Sequence, residues 1–126
     1  MLFNTTLRRG EVYFADLGQT TGAEQRGMRP VLVVQNEVDN VYSPNTIVLP
    51  MTSKLWKADL PTNVQISRQE SGMNKDCLIL AGQVRTIDKW RLKGQAVACL
   101  GKDIMRQVDR AMLVSMGISA KLAPAV

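Results

Sequence analysis

Residues 22–52 read GAEQRGMRPVLVVQNEVDNVYSPNTIVLPMT, a polar loop followed by two apolar segments. The first segment, residues 31–35, is apolar almost throughout, which predicts a strand buried on both faces. The second, residues 46–52, ends on Thr52, and the connection between them carries a Ser-Pro-Asn turn signal. Arg29 directly precedes the first buried segment, so we expect its base to be anchored and its guanidinium to be exposed. The stretch therefore predicts two core strands that present polar groups at their ends.

The length and composition of the chain indicate a single domain with a net positive charge. Its 126 residues suit a single core with little room for a second domain, and 45% of them are hydrophobic. No apolar run is long enough to span a membrane, and the N-terminal residues do not resemble a signal peptide. The two cysteines, Cys77 and Cys99, both lie in apolar runs, which favours free buried thiols in the cytoplasm. A net charge of +5 suits a polyanionic partner.

The chain contains no histidine. This excludes histidine as a general base, and it makes a zinc site improbable. We therefore expect neither a metal nor another cofactor.

Further strands are predicted outside this stretch, and together they define the fold class. They cover residues 11–17, 63–66, 77–85 and 95–100. The C-terminal segment differs, because Ile104, Met105, Val108, Met112 and Met116 recur at helical spacing. Asp103 is the predicted N-cap of this helix, and Gly117 is predicted to end it. We expect a mainly β fold, a small and strongly curved barrel, with one C-terminal helix.

Three motifs in order resemble one protein family. They are G-x-E-x-x-G-x-R-P at residues 22–30, Thr52-Ser53 at a strand end, and GQVRTID at residues 82–88. Over residues 8–116 the chain resembles the MazF/PemK toxins, sequence-specific endoribonucleases of bacterial toxin–antitoxin modules. The resemblance implies an SH3-like barrel of the CcdB/PemK type. We expect one MazF/PemK-like domain over residues 1–126, with a core at about 8–117 and, because residues 119–126 lack periodicity, a frayed tail at 118–126.

The resemblance places Arg29 and Thr52 on the catalytic arginine and threonine of the family. Their chemistry fits, because a guanidinium offers a planar fork of donors to phosphate oxygens and a threonine hydroxyl can hold another oxygen. The implied reaction is metal-independent attack by the RNA 2′-OH. It leaves a 2′,3′-cyclic phosphate or 3′-phosphate and a 5′-hydroxyl. The residue types do not assign the general base and the general acid. Arg29 is a poor base in water, and Glu24 is the only carboxylate in the motif.

RNA contacts are expected from the loops around these two residues. Glu24 and Gln83 suit base-edge recognition, because a carboxylate accepts from exocyclic amines and an amide both donates and accepts. Arg26 and Arg85 are expected on phosphate, and the resemblance places Gln25, Ser53, Leu60 and Pro61 along the RNA groove. The expected partners are single-stranded RNA, a second copy of the chain, and a cognate antitoxin with an acidic, partly disordered tail.

Two alternatives use the same fold class differently. A CcdB-like inhibitor of DNA gyrase has no catalytic site and depends on C-terminal aromatic residues, but residues 119–126 contain none. A non-catalytic RNA-binding barrel favours exposed aromatic platforms, whereas only 5% of this chain is aromatic. Both observations favour the nuclease.

Overall fold

The structure is a computed structural model that describes residues 7–20, 22–56 and 59–119. It is mainly β, as predicted, and carries one long helix at its C-terminal end. The strands are β1 (Glu11–Asp16), β2 (Met28–Val33), β3 (Asn45–Thr52), β4 (Asn63–Ile66), β5 (Cys77–Leu80), β6 (Arg85–Asp88) and β7 (Leu92–Cys99). The helices are α1 (Glu37–Tyr42), α2 (Arg68–Ser71) and α3 (Lys102–Met116), with a 3-10 turn at Lys89–Arg91.

The strands form one antiparallel sheet in the order β4-β5-β3-β2-β1-β7. Strand β3 lies at the centre of the sheet, and along one of its two edges it pairs first with β6 and then with β5. Its first half pairs with β6, from Asn45 opposite Asp88 to Val48 opposite Arg85, and its end pairs with β5, with Thr52 opposite Leu78. Because one long strand is shared between two short ones, the sheet curls around it.

Apolar side chains fill both faces of this curled sheet. Strand β2 shows the alternation directly: Leu32 belongs to one buried cluster, whereas Val31 and Val33 belong to the other. All three side chains are buried, so the prediction of a strand covered on both faces is confirmed.

Helix α3 covers one of the two faces. Its residues Ile104, Val108 and Ala111 are buried against the first cluster. Asp109 forms an ion pair with Arg9 at 2.6 Å, which joins the helix to the segment before β1. The helix ends at Gly117, whose φ of 68° is in the left-handed region that favours glycine. This ending was predicted, while residues 120–126 of the predicted tail lie outside the described residues.

Three details of the helix and the cysteines differ from the prediction. The N-cap of α3 is Gly101, and Asp103 instead lies in the first turn, where it pairs with Arg106 at 3.0 Å. Met116, the last residue of the predicted apolar stripe, is exposed. Cys77 is buried, but Cys99 at the end of β7 is exposed, because that strand lies at the edge of the sheet.

The segment predicted as one strand over residues 77–85 is broken. Strand β5 ends at Leu80, and the turn that follows contains Gly82 and Gln83. The chain turns here because the next strand, β6, continues along a different part of β3. Gln83 therefore projects from a turn and not from a strand.

The connection between β2 and β3 contains an unpredicted helix, α1. Asn36 caps it by accepting a hydrogen bond from the backbone of Asp39. Its buried residue is Asn40, whose amide donates to the carbonyl of Gln35 at 3.0 Å and whose side-chain oxygen accepts from Thr46 at 3.1 Å. The buried ammonium of Lys89 donates to the carbonyl of Asn40. These polar contacts fix α1 against the start of β3.

Candidate functional site

The register of β2 and β3 brings Arg29 and Thr52 together. Val31 lies opposite Pro50 in this antiparallel pair. Continuing the same register two residues further places Arg29 beside Thr52, with both side chains on the same side of the strands. Two residues that are distant in sequence thus meet at one end of the sheet.

Both side chains line a cleft of about 470 Å³, which we call the basic cleft. Its walls come from the start of β2, the end of β3 and the turn after α2. The described lining residues include two cations, Arg29 and Lys75, and no carboxylate. Its remaining lining residues are Phe14, Met28, Pro30, Met51, Thr52, Ser53, Gly72, Met73, Asn74, Cys77 and Val97. A concave surface with this charge suits an anionic ligand.

One hydrogen bond orients the Arg29 guanidinium. Its Nε donates to the carbonyl of Arg26 at 3.1 Å, within the loop before β2. Among the described residues, no hydrogen bond or ion pair occupies its two terminal nitrogens. The side chain is half-buried, so its stem is held while the fork of donors faces the cleft. This is the arrangement that bidentate recognition of a phosphate needs.

The Thr52 hydroxyl is fixed in a complementary way. Only 7% of the residue is exposed, and its Oγ1 accepts the backbone N–H of Lys54 at 3.1 Å. Because that oxygen already accepts a hydrogen bond, its own proton is directed elsewhere and is available to an acceptor in the cleft. Thr52 therefore adds a preorganised neutral donor to the charged donors of Arg29.

Thr52 also lines a second cleft of about 250 Å³. We call it the glutamine cleft, because Gln25 and Gln83 line it. The backbone N–H of Gln25 donates to Oε1 of Gln83 at 3.0 Å. The structure thus joins two predicted RNA-binding residues that are far apart in the sequence.

Arg85 holds the loop that carries Gln25. Its terminal nitrogens donate to the carbonyls of Gln25 at 3.3 Å and Leu17 at 3.2 Å. Arg85 lines neither cleft. The sequence analysis expected Arg85 to contact phosphate. Its two hydrogen bonds to backbone carbonyls give it a structural role, because they hold this loop in place.

Of the other predicted RNA-binding residues, only Ser53 lines a cleft, and the remaining four are exposed elsewhere. Ser53 is exposed and lines the basic cleft. Glu24 and Arg26 are exposed on the loop before β2, and Leu60 and Pro61 are exposed on the turn before β4. None of these four lines either cleft.

The sequence analysis missed the contribution of the turn after α2. A capping box between Ser67 and Glu70 starts this short helix, and Gly72, with φ of 77°, ends it. The turn then directs Asn74 and Lys75 into the basic cleft. The sequence Ser71-Gly72-Met73-Asn74 is typical of a turn, but nothing local indicates that this turn meets the end of β3.

Cys77 lines the same cleft without being a reactive nucleophile. Burial raises the pKa of its thiol, and the neighbouring Asp76 raises that pKa further, against a smaller opposite effect of the Lys75 charge. A thiol with a raised pKa is protonated at neutral pH and is therefore a poor nucleophile.

The described residues form neither a metal-binding cluster nor a membrane-spanning helix. Over residues 7–20, 22–56 and 59–119, no three cysteine or carboxylate side chains are grouped so as to hold a metal ion. No helix in the described part of the chain is both long and apolar enough to cross a bilayer.

Residues 8–116 match the family described as the PemK-like, MazF-like toxin of type II toxin-antitoxin system. A relative from Bacillus subtilis (strain 168), endoribonuclease EndoA, is 45% identical over 112 residues. That alignment covers 89% of this chain and 96% of the relative.

Solved structures share the fold at lower identity. An endoribonuclease from a mycobacterial species has a TM-score of 0.75 at 20% identity, covering 98% of this chain and all of that one. An endoribonuclease solved in complex with its cognate antitoxin, also mycobacterial, has a TM-score of 0.72 at 22% identity, covering 88% and 95% of the two chains. At these identities the structural likeness shows the curled β architecture with its terminal helix.

Proposed function

We propose that this chain, which belongs to the PemK-like, MazF-like toxins of type II toxin–antitoxin systems, cuts single-stranded RNA at a short sequence. The 45% identity to an endoribonuclease supports this activity. The observation that carries the mechanism is the convergence of Arg29 and Thr52 in one basic cleft. A DNA gyrase inhibitor of the same fold would not need that pair.

The proposed chemistry is transesterification by the RNA itself. The 2′-OH loses its proton as it attacks the adjacent phosphorus, and a pentavalent phosphorane forms. The bond from phosphorus to the 5′-oxygen then breaks as that oxygen takes up a proton, which leaves a 2′,3′-cyclic phosphate and a 5′-hydroxyl. Charge accumulates on the non-bridging oxygens, where Arg29 supplies a cationic fork and Thr52 a neutral donor. Donors fixed before the reaction stabilise such a transition state without reorganising, and each is worth roughly 10²–10³ in rate.

The basic cleft limits which groups can transfer protons. No carboxylate is among its described lining residues, and Glu24 lies outside it. Glu24 is therefore disfavoured as the general base, and we place it with the groups that contact bases further along the RNA.

A cognate antitoxin is the second proposed partner. A cleft that accepts an extended polyanion also suits an acidic peptide, and Arg29 and Lys75 supply the matching charge. We propose that a disordered acidic tail folds across the basic cleft, so that antitoxin and RNA exclude each other. The ordering cost of such a tail, about 2–5 kcal/mol, would be offset by apolar anchors between its acidic residues.

The proposed assembly is a homodimer that acts in the cytoplasm. Strand β7 lies at an edge of the sheet and carries exposed Val97 beside the basic cleft, which supports a dimer surface there. An RNA substrate, a basic surface and free thiols support a cytoplasmic site of action.

Cleavage of a long RNA in excess EDTA tests the proposed function. We expect discrete fragments whose 5′ ends are labelled by polynucleotide kinase without phosphatase treatment. Fragments that need phosphatase before labelling would contradict the mechanism. Binding without cleavage would favour a passive RNA-binding module, and inhibition of gyrase supercoiling without RNA cleavage would favour the CcdB-like alternative.

A further inference from the structure

The glutamine cleft has an aromatic wall that the sequence motifs do not include. Trp56, in the loop after β3, lines this cleft together with Gln25 and Gln83. Leu78 and Leu80 of β5 also line it. An indole, two leucines and two amides, together with Ala23 and the Lys54 side chain, thus line a space of about 250 Å³, next to Thr52.

We propose that the glutamine cleft binds one nucleobase beside the scissile phosphate, and that Trp56 is the residue on which this base stacks. The inference rests on the proposed RNA cleavage, since Thr52 borders both clefts and so links the base position to the reacting phosphate. Single-stranded RNA exposes its bases for such stacking, and an aromatic face accepts any of them.

The exposure of Trp56 favours stacking over a purely structural role. An indole that covers an apolar edge of the fold loses most of its surface to that edge, whereas Trp56 remains 75% exposed while lining a concave surface. Trp90 is also largely exposed, at 67%, but it lines neither cleft, so exposure and position together distinguish Trp56.

The amide of Gln83 gives this cleft a hydrogen-bond donor. Its Oε1 accepts from the backbone of Gln25, so its NH₂ group is directed away from that contact. Among the described residues, no hydrogen bond occupies this NH₂ group. Every RNA base presents a carbonyl or ring-nitrogen acceptor, so this NH₂ group can add a base-edge hydrogen bond to the stacking on Trp56.

Steady-state cleavage of an RNA oligonucleotide containing one mapped cleavage site tests the proposal. The variants are W56A, W56F and the matched control W90A, whose tryptophan is 67% exposed and outside both clefts. We expect W56A to raise KM roughly tenfold with little change in kcat, as loss of one stacked base predicts. W56F should retain most of the affinity, and W90A should behave as the wild-type protein.

A second oligonucleotide set separates stacking from a structural effect. Each member carries one abasic nucleotide near the cut. We expect one abasic position to raise the wild-type KM as much as W56A does, and to have no further effect on W56A. Equal KM values for W56A and W90A would overturn the inference. It would also be overturned if the increase in KM from W56A multiplied with the increase from every abasic position. Either outcome would leave the nuclease assignment in place. A wild-type protein that leaves RNA intact would overturn the proposed function itself.

Discussion

The backbone carbonyl of Gln25 accepts a hydrogen bond from the guanidinium of Arg85 at 3.3 Å, across the gap between the loop before β2 and the start of β6. The same guanidinium holds Leu17 at the other end of this loop. Arg85 thus positions the loop that carries Gln25 and leads to Arg29. Substrate recognition should depend on this arginine even though it lines neither cleft.

We predict that Arg85→Gln lowers kcat/KM roughly tenfold, because hydrogen bonds from a charged group are worth about 1.5–3 kcal/mol. It should leave the salt dependence of RNA binding unchanged, since a loop-holding arginine neutralises no phosphate. The matched control is Arg26→Gln, an exposed arginine on the same loop. If Arg26 contacts phosphate, its loss should reduce the slope of log K against log[salt] by about 0.7. Equal slope changes for the two variants would contradict the assignment of Arg85.

Lys75 is the second cation of the basic cleft, and we predict that it binds the RNA backbone. Lys75→Ala should weaken RNA binding at all cleavage sites alike and reduce the salt slope by about 0.7. Lys102→Ala serves as the control, because Lys102 is an exposed lysine at the start of α3 and lies outside the cleft. Filter binding of a 2′-deoxy-substituted oligonucleotide at several salt concentrations measures both. An altered site preference for Lys75→Ala, with an unchanged slope, would argue against backbone contact.

The large features of the fold were predictable because they depend on local periodicity. Strand β4 and the end of α3 at Gly117 agree with the sequence pattern, and β3 differs by one residue. The break after Leu80 was not predictable, because an apolar run does not show that its strand must change position along β3. Helix α1 was missed for a related reason: it buries the polar Asn40 and exposes Val38 and Tyr42, which reverses the usual pattern.

The sequence motifs predicted only those residues of the candidate site that the motifs themselves contain. Arg29, Thr52, Gln25 and Gln83 were expected together, and the structure brings them to two adjacent clefts. The roles of Lys75, Trp56 and the Arg85 contacts required tertiary structure, because each depends on which loops meet at the end of β3. The contact between Arg85 and phosphate was expected from the charge of arginine alone. The sequence does not show which backbone carbonyls accept hydrogen bonds from its guanidinium.

The thiol of Cys77 should be unreactive in the folded protein. The residue is 4% exposed, and its raised pKa keeps the thiolate scarce at neutral pH. We predict that iodoacetamide at pH 7.5 modifies exposed Cys99 first, and that Cys77 reacts at least about tenfold faster in urea. Mass spectrometry of tryptic peptides over time measures both rates. Preferential labelling of Cys77 in the folded protein would show an activated thiol in the basic cleft.

Glu37 gives the fold a defined sensitivity to acid. Burial tends to raise the pKa of its carboxyl, but hydrogen bonds from the Arg9 backbone and the Asn40 amide, with the charges of Arg8 and Arg9, lower it below the ordinary 4.5. A carboxyl with a lowered folded-state pKa stabilises the fold above its unfolded pKa. This contribution to stability is lost as the pH falls below 4.5 and through the lower pKa of the folded protein.

We predict that Glu37→Gln lowers the free energy of unfolding at pH 7 and reduces the loss of stability on acidification. Urea unfolding of both proteins at neutral pH and below the ordinary carboxyl pKa measures the difference. Glu24→Gln, on an exposed loop residue, is the control. Parallel pH profiles for Glu37→Gln and the wild-type protein would contradict the role of this carboxylate.

Single-turnover cleavage of a mapped RNA site by Arg29→Ala and Thr52→Ala tests the central claim most directly. The claim is that these two side chains stabilise the phosphorane, so each variant should lose at least about 2.7 kcal/mol of transition-state stabilisation, a rate loss of roughly 100-fold or more. Thr52→Ser keeps the hydroxyl and should retain more activity than Thr52→Ala, and urea unfolding confirms that each variant is folded. A folded Arg29→Ala or Thr52→Ala protein that cleaves at more than about a tenth of the wild-type rate, a loss below about 1.4 kcal/mol, would contradict the account.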